Sequence, residues 1–386
     1  MKYCSVITIA SIILSLAMPS YVLAINDIEA DEAYKKRVEL SNMLKKMRAV
    51  RREMPIPPPA GLFGIYHLPE KGQFVAGINL QHHEFNGLLK GSDSVSTAEA
   101  VATAPNIFFG APMQPPTLRI VPKRAKADVA FPFINYTMDA RYSLVALAPL
   151  IRKRTELETF NAPGTTSLGT TTVGTDGLGD IKFGLLYSPF KAYDEKGIRK
   201  HNLIIDAVLS APTGSIDEED KILNPMNAMV KTRLPYGMQL GSGTWDALLG
   251  LAYWGKEGKW GWGLQYLATL PLESENSEGW RYGDKYEATG WVSYEWKPTL
   301  ASSVRLRHEY QDEIHGMDPN IFGPGLGANP DNYGGTRTEL MIGVNWMYKS
   351  ARNLSLEFAK PIDQDRNGYQ PDHDYSLMIS WRNAIF

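Results

Sequence analysis

Apolar and polar residues alternate with a period of two along most of the chain that follows residue 73. In residues 336–348, for example, Leu340, Ile342 and Val344 share one face, and residues with other properties fill the opposite face. Such alternation predicts β-strands with one apolar face. It marks twelve candidate strands: 73–84, 127–137, 140–152, 179–190, 200–212, 244–254, 259–270, 283–296, 299–312, 336–348, 353–361 and 374–386.

The connections between these predicted strands alternate between long and short. The long ones are 85–126, 153–178, 213–243, 271–282, 313–335 and 362–373. The short ones are 138–139, 191–199, 255–258, 297–298 and 349–352. Outer-membrane barrels show this asymmetry, with long loops outside the cell and short turns in the periplasm. An even number of strands places both chain ends on the short-turn side.

The faces opposite the apolar ones carry charges that a soluble core would not accommodate. Arg305, Arg307 and Glu309 share one face, and Asp206 interrupts the apolar stretch "NLIIDAVLSAP". A closed barrel with lipid outside and a polar lumen explains both faces at once. We therefore predict an all-β fold, a transmembrane antiparallel up-and-down β-barrel of about 12 strands. A large soluble β-sandwich is the alternative.

Charged side chains on the predicted inward faces define a candidate lumen lining. Their signs are mixed, and opposite charges on neighbouring strands are expected to pair. Because barrel diameter grows with strand number, a barrel of this size should have a narrow, partly filled lumen. The candidate lumen residues are Lys182, Asp206, Lys285, Glu287, Glu295, Arg305, Arg307, Glu309, Glu339 and Arg382.

Aromatic residues near the predicted short turns are candidates for a girdle at the membrane interface. They are Trp254, Trp260, Trp262, Trp296 and Phe386. Phe386 ends the strand that would close the barrel against residues 73–84, and this strand is the expected contact with the barrel-assembly machinery. For Phe386 to share a face with Trp381, a β-bulge is required between them.

The N-terminal residues have the pattern of an export signal. Lys2 precedes an apolar core at residues 7–16, and residues 22–24 form a small-residue cleavage site. Cys4 is the one cysteine of the chain, so the mature protein would contain none. We divide the chain into a signal peptide at 1–24, a periplasmic helix and Pro-rich linker at 25–60, and an outer-membrane barrel at 61–386.

Residues 27–53 contain many charges and neither proline nor glycine, which predicts a helix. The stretch "MPIPPPAG" ends this helix and forms a stiff spacer. A solvated periplasmic helix is the simpler interpretation. The alternative is a coiled-coil or docking segment for a partner.

Composition excludes some functions. A formal net charge of −2 does not supply the basic surface that nucleic-acid binding needs. The stretch "GSGTW" at 241–245 resembles a serine-nucleophile motif, but no helix is predicted after it, so we expect no enzyme activity. The loop motifs "SIDEED" at 215–220 and "HGMDPN" at 315–320 offer metal ligands without defined spacing, and we expect solvated loops and no cofactor.

Several motifs, in order, resemble a family of proteobacterial outer-membrane β-barrels that are usually described as transporters, and that belong with the barrels named for the meta-pathway of phenol degradation. They include "PMQPPTLRIVP" (112–122), "GLGDIKFGLLYSPF" (177–190), "LSAPTGSIDEED" (209–220), "LPYGMQLGSGTWDALLGLAYWG" (234–255), "WGWGLQYLATL" (260–270), "YGDKYEATGW" (282–291) and "NPDNYGG" (329–335). The resemblance implies an outer-membrane location and a transport role. It implies no particular solute and no catalytic residue.

Two functional hypotheses remain open at this stage. The first is an outer-membrane channel for a small solute, which the family name associates with hydrophobic or aromatic compounds. The second is a plugged, structural barrel that docks a periplasmic or surface partner, such as an electron-transfer or metal-handling protein. Outer-membrane lipid and lipopolysaccharide are the expected surroundings in both. The hypotheses differ in whether residues 27–59 and 85–126 fill the lumen.

Overall fold

The computed structural model describes residues 35–43, 58–62, 71–195, 199–349 and 352–385. The chain divides into two units, residues 1–50 and residues 51–386. In the first unit, residues 35–43 form helix α1 with every side chain exposed, as predicted for part of 27–53. The predicted signal peptide at 1–24 and Phe386 lie outside the described residues. Among the described residues, no helix has the length and hydropathy needed to cross a membrane.

The described part of the second unit is built almost entirely from strands. One short helix, α2 (Thr97–Thr103), lies between the second and third strands. The strands are β1 (Phe74–Gly91), β2 (Asp93–Val95), β3 (Ile120–Thr137), β4 (Tyr142–Leu147), β5 (Leu150–Phe160), β6 (Ser167–Leu178), β7 (Ile181–Tyr193), β8 (Arg199–Ala211), β9 (Glu219–Leu223), β10 (Met229–Arg233), β11 (Asp246–Glu257), β12 (Trp260–Pro271), β13 (Trp280–Arg281), β14 (Lys285–Lys297), β15 (Leu300–Gln311), β16 (His315–Gly316), β17 (Gly335–Lys349) and β18 (Arg352–Ile385).

The main sheet closes on itself. Its order is β1-β18-β17-β15-β14-β12-β11-β8-β7-β4-β3, and β3 pairs with β1 to complete the ring of eleven strands. Every pairing in this ring is antiparallel. Closure leaves no unpaired edge in the ring, so all its backbone groups can be satisfied inside the wall. The predicted antiparallel barrel is confirmed.

Strand β18 runs along the barrel wall twice, as two arms joined by a turn. Its first part, up to Arg366, pairs with β17, and its second part, from Arg366 onward, pairs with β1. The two parts also contact each other: Lys360 Nζ lies 2.6 Å from Asp374 Oδ1, and Gln364 Nε2 donates to Asp372 Oδ1 at 2.7 Å. Gly368, with φ of 59°, turns the chain between them. With its two arms counted separately, the ring has the predicted twelve segments.

Each of the twelve predicted strands overlaps a strand of the ring, but several predicted boundaries and loops are wrong. Predicted loop 362–373 is the turn region of β18. Strands β1 and β3 extend into predicted loop 85–126, and β5 and β6 form a hairpin across most of predicted loop 153–178. Predicted strand 140–152 breaks between β4 and β5, near Pro149. The strands lengthen because backbone pairing with a neighbour continues beyond the apolar alternation that marked them.

The outer surface carries a continuous apolar belt. Exposed side chains on it include Leu251, Leu264, Val304, Ile342 and Leu356, each of which is about half exposed. These residues alternate with buried ones along their strands, as the sequence pattern predicts. Such a belt would be costly in water, and it matches the apolar band of outer-membrane barrels.

The long connections pack into ordered layers at one end of the barrel. Helix α2 buries Ala100 and Val101 against Leu118, Leu326 and others in one apolar cluster. A second cluster surrounds Trp280, which is completely buried. The hairpin β9–β10 and the β13–β16 pair belong to the same end. The described part of predicted loop 85–126 therefore forms the rim of the barrel, together with the other long loops.

Candidate functional site

Opposite charges from neighbouring strands meet inside the barrel. Arg307 on β15 bonds Glu339 on β17 through two guanidinium nitrogens, one of them at 2.8 Å, and lies 3.4 Å from Glu287 on β14. Lys285 lies 3.1 Å from Glu309, which also accepts from Arg337 at 3.1 Å. Because a charge buried without a partner is costly, each of these side chains depends on its partners to remain inside the barrel. We name these residues, with Arg305, Glu357 and His373, the charge belt.

The deepest pair of the charge belt links Arg305 to Glu357. Arg305 is 2% exposed and Glu357 is fully buried. The expected pairing of opposite charges on adjacent strands holds for Arg307, with Glu287 and Glu339, but is wrong for Arg305. Arg305 reaches past β17 to the next strand. Gly343 on β17 lies in register with both Ser303 and Glu357, and its lack of a side chain leaves the space for this contact.

His373 completes the belt at the long-loop side. Its Nδ1 lies 3.3 Å from Glu339 Oε1, and Arg337 Nη1 approaches the same ring nitrogen at 3.0 Å. Its Nε2 lies 2.9 Å from the hydroxyl of Ser376, and the ring is 2% exposed. His373 was not among the candidate residues, because it falls within the segment that the sequence assigned to a loop.

The remaining candidate lumen residues have separate surroundings. Lys182 donates to Ser210 at 3.0 Å, and Glu295 accepts from Lys256 at 2.7 Å. Arg382 is 5% exposed and lines the barrel interior. Asp206 is 1% exposed, and neither of its carboxylate oxygens has a hydrogen-bond partner among the described residues. The structure therefore places these residues inside the wall without joining them into one site.

Two of the predicted interfacial tryptophans lie on the outer face of the barrel. Trp260 and Trp296 are 54% and 59% exposed, and both contact Tyr294 near the short turns, with ring centroids 4.8 and 4.7 Å apart. Trp262 lies on the same face of β12 as Trp260, beside Gly255. The prediction that Trp254 lies at the membrane interface is wrong, because Trp254 packs against an apolar cluster inside the barrel. It was assigned by its distance from the turn, although the period of two places it on the inward face with Ala252.

Residues 58–62, the end of the Pro-rich linker, lie inside the barrel. Gly61 N donates to Glu357 Oε2 at 3.0 Å, and Asn79 Nδ2 donates to the carbonyl of Ala60 at 2.8 Å. Leu62 is 5% exposed and packs in a cluster with Leu186, Leu248 and Trp291, among others. We name residues 58–62 the plug segment.

The sequence left open whether residues 27–59 fill the lumen, and it did not single out residues 58–62. The signal of the plug segment is the apolar "AGL" that follows the prolines, which the sequence analysis assigned to the linker and the start of the barrel. A β-carbon on Gly61 would lie 2.5 Å from Met378 Sδ and 2.6 Å from Arg305 Nη2. Only glycine therefore fits against the charge belt at this position without displacing a neighbour.

Two cavities lie along the barrel interior. The vestibule, of about 1070 Å³, is bordered by the long loops and reaches Glu309 and Arg337. The inner chamber, of about 440 Å³, is bordered by Gly61, Leu62 and Arg307. Because Arg307 and Glu309 are two residues apart on β15, the charge belt lies where one cavity ends and the other begins. The order is vestibule, charge belt, inner chamber and plug segment.

Three of the motifs that carry the family resemblance meet at Asp180. Its carboxylate accepts from the backbone N–H of Gly214 at 2.9 Å and of Ser242 at 2.8 Å. The Ser242 hydroxyl donates to Asp180 at 3.0 Å and also lies 3.2 Å from Asp246 Oδ2. The "GSGTW" stretch is thus part of a hydrogen-bond network that connects a long loop to the barrel.

The carboxylates of "SIDEED" do not converge on one point. Asp217 bonds Ser215, which lowers the pKa of its carboxyl, whereas Glu219 pairs with Lys231 at 2.6 Å and Asp220 accepts from Gly174 N at 3.0 Å. Across the described ranges, no group of three or more acidic, His or Cys side chains is arranged to hold a metal ion. In the same connection between β8 and β11, burial raises the pKa of Tyr236 to about 12.

The fold of this chain resembles that of a protein of known structure. No protein-family model and no curated protein matches the chain. Among solved structures, an outer membrane channel from Pseudomonas putida F1 superposes with a TM-score of 0.53 at 15% identity, covering 86% of this chain and all of that one. The P. putida toluene transporter TodX gives a TM-score of 0.38 at 12% identity, covering 82% of this chain and 91% of that one.

The KdgM porin gives a TM-score of 0.34 at 8% identity, covering 80% of this chain and 99% of that one. Because the last two scores lie below 0.5, only the channel from P. putida F1 bears on the fold. Its likeness extends over the length of both chains, and the same ring of strands carries an apolar belt outside and charges inside. The chain therefore has the fold of an outer-membrane β-barrel.

Proposed function

We propose that the protein is an outer-membrane channel that passes a small solute from the vestibule through the charge belt to the inner chamber. The observation that carries this proposal is the alignment of two cavities inside one closed barrel. A barrel that was only structural would gain stability by filling this volume with side chains, because interiors are normally close-packed. The charge belt narrows the path between the two cavities, which favours small solutes over the broad range of solutes that a wide porin admits.

The plug segment would have to shift before a solute leaves the inner chamber. Its hydrogen bonds to Glu357 and Asn79 and the packing of Ala60 and Leu62 help to hold it in place. A hydrogen bond to a charged group contributes about 1.5–3 kcal/mol and one to a neutral group about 1 kcal/mol, so openings of the segment should be infrequent. A closed resting state with brief openings is the expected behaviour.

Conductance in planar bilayers tests this proposal. We expect the wild type to show rare, small openings and Gly61→Val to show frequent ones, because the added side chain collides with Met378 and Arg305 and displaces the plug segment. Gly290→Val is the matched control, since Gly290 lies on the outer face beside Leu264 and its change should leave the current unaltered. If neither wild type nor Gly61→Val conducts in folded form, the channel proposal is wrong.

The alternative is a plugged barrel that docks a partner. It is favoured by one observation, the fixed position of residues 58–62 against Glu357 and Asn79. In that case Gly61→Val would lower thermal stability without producing current. The same two variants therefore separate the two functions.

The family resemblance extends the proposal to the type of solute. The ordered motifs support a place among the barrels named for the meta-pathway of phenol degradation. Swelling of liposomes that contain the protein, measured with phenol and with glycerol at equal osmolarity, tests this association. Equal swelling rates, or none with phenol, would remove the support for an aromatic solute.

A further inference from the structure

The vestibule combines apolar walls with an excess of positive charge. Its apolar lining includes Ile120, Leu157, Val173, Ile222, Met238 and Phe322. Six charged side chains line the same cavity, and only Glu309 is acidic; the five basic ones are Lys126, Lys153, Arg233, Arg337 and Arg366. A cavity of about 1070 Å³ is large enough for a small organic molecule.

Three of these five basic groups are engaged by carboxylates. Lys126 lies 3.3 Å from Glu84, and Arg337 bonds Glu309 at 3.1 Å. Arg233 lies 3.7 Å from Asp318 and 3.9 Å from Glu278. Their positive charge is therefore largely neutralised within the protein.

Within the part of the chain that the structure describes, the other two basic side chains form no ion pair. Lys153 donates to two main-chain carbonyls, those of Gly237 at 2.9 Å and Gln239 at 2.6 Å. The side chain of Arg366 forms no hydrogen bond to these described residues. It lies where the two arms of β18 meet, in register with Gly91 on β1 and Gly335 on β17. Because both register partners are glycines, neither of them places a side chain against Arg366.

From this arrangement we propose that the vestibule binds an amphipathic anion, a small molecule with an apolar body and one carboxylate. The apolar body lies against the wall around Leu157 and Val173, and the carboxylate is bound by Arg366. A guanidinium offers paired N–H donors that match the two oxygens of a carboxylate, and Lys153 adds a second positive charge along the cavity. The inference rests on the proposed channel function and specifies the chemical class of its solute.

Calorimetric titration of the protein in nanodiscs, corrected for empty nanodiscs, tests the inference. The ligands are 3-phenylpropionate, the neutral 3-phenylpropanol and the short anion propionate. We expect 3-phenylpropionate to bind at least tenfold more tightly than either of the others, because each of them lacks one half of the recognised chemistry. Equal affinity for the acid and the alcohol would overturn the role of the positive charge, and equal affinity for both acids would overturn the role of the wall.

Arg366→Gln should weaken the binding of 3-phenylpropionate by about tenfold or more, the loss expected for one charged hydrogen-bonding partner. Arg366→Lys should retain part of the affinity. Arg124→Gln is the matched control, because Arg124 is an exposed arginine on β3 outside the vestibule and its loss should change nothing. Variants are compared only after a heat-modifiable gel shift shows the folded barrel; if folded Arg366→Gln binds as the wild type does, the assignment is wrong.

Failure of this inference and failure of the channel proposal give different results. Binding of 3-phenylpropionate without conductance in either wild type or Gly61→Val leaves the site intact and removes the channel. Conductance without preference for 3-phenylpropionate leaves the channel intact and removes the amphipathic anion.

Discussion

Inside the barrel, Arg305 donates two parallel hydrogen bonds to Glu357, from Nε to Oε1 at 2.9 Å and from Nη2 to Oε2 at 2.7 Å. The same Glu357 oxygen that meets Nη2 accepts from Gly61 N. One ion pair thus joins the barrel wall to the plug segment. A single interior position can therefore influence both stability and passage.

Removal of one partner of this pair tests its role in stability. Arg305→Ala should lower the free energy of unfolding by about 3–5 kcal/mol, because it leaves Glu357 buried without its counter-charge. Urea unfolding in phospholipid vesicles, followed by tryptophan fluorescence, measures the change. If the pair also limits passage, the same variant should alter conductance or ion selectivity.

Leu306→Ala is the control for this substitution. Leu306 is the next residue on β15 and is 48% exposed on the outer belt, so its change should leave the current unaltered and cost less stability. Identical behaviour of Arg305→Ala and Leu306→Ala, in unfolding and in current, would contradict the inward assignment of this face.

Substitution of Asp206 is predicted to raise the free energy of unfolding, whereas substitution of Arg305 lowers it. The buried carboxylate of Asp206 has no hydrogen-bond partner in the part of the chain that the structure describes, and Ile204, Val208 and Leu248 form an apolar cluster around this part of the wall. Asp206→Leu keeps the number of side-chain atoms and removes an unsatisfied polar group. We expect the free energy of unfolding to rise by about 1–3 kcal/mol, as measured in the same urea experiment.

Asp246 serves as the comparison for Asp206. It also lies inside the barrel, but its oxygens accept from Thr244 at 2.7 Å and from Ser242 at 3.2 Å. Asp246→Leu should therefore lower stability by about 1–3 kcal/mol, because the buried Thr244 hydroxyl loses its acceptor. A stability loss for Asp206→Leu as large as that for Asp246→Leu would show that Asp206 has a stabilising contact.

The outer belt of apolar side chains leads to a prediction about location. The protein should separate with the outer membrane on sucrose-gradient fractionation of a Gram-negative host. It should also migrate faster on a gel before heating than after, since closed barrels resist detergent until boiled. Recovery as a soluble periplasmic protein that lacks this shift would overturn the membrane assignment.

The asymmetry of loops and turns leads to a prediction about orientation. An epitope tag inserted beside Asp217, an exposed residue of a long connection, should react with antibody on intact cells. A tag at Gly258, in the two-residue turn between β11 and β12, should react only after permeabilisation. The reverse pattern would place the long loops in the periplasm. Asn329 is less suitable for a tag, because it is 9% exposed and its side chain accepts from Asp331 N.

The terminal strand shows how far a local pattern can be extended. The sequence predicted a bulge between Trp381 and Phe386. Phe386 lies outside the described residues, and up to Ile385 β18 stays in regular register with β1 from Ser376 onward. The shift lies earlier, where Glu84 pairs with Tyr375 and Phe85 with His373. An alternating pattern fixes which residues share a face and does not fix where one strand slips against another.

Although the β5–β6 hairpin and the course of β18 through residues 362–373 were not predicted, the sequence by itself determined where the ring strands lie, most of their inward and outward faces, and the alternation of long and short connections. These are local properties, because a strand repeats every two residues and shows one face to lipid. Even the inward placement of Arg305, Arg307 and Glu339 follows from that repeat. Tertiary structure alone decided that β1 pairs with both β3 and β18, that Arg305 bypasses β17 to reach Glu357, and that Gly61 lies beside them. Those contacts join residues up to 296 positions apart, and they depend on register, on the space left at Gly343 and on the closure of the ring.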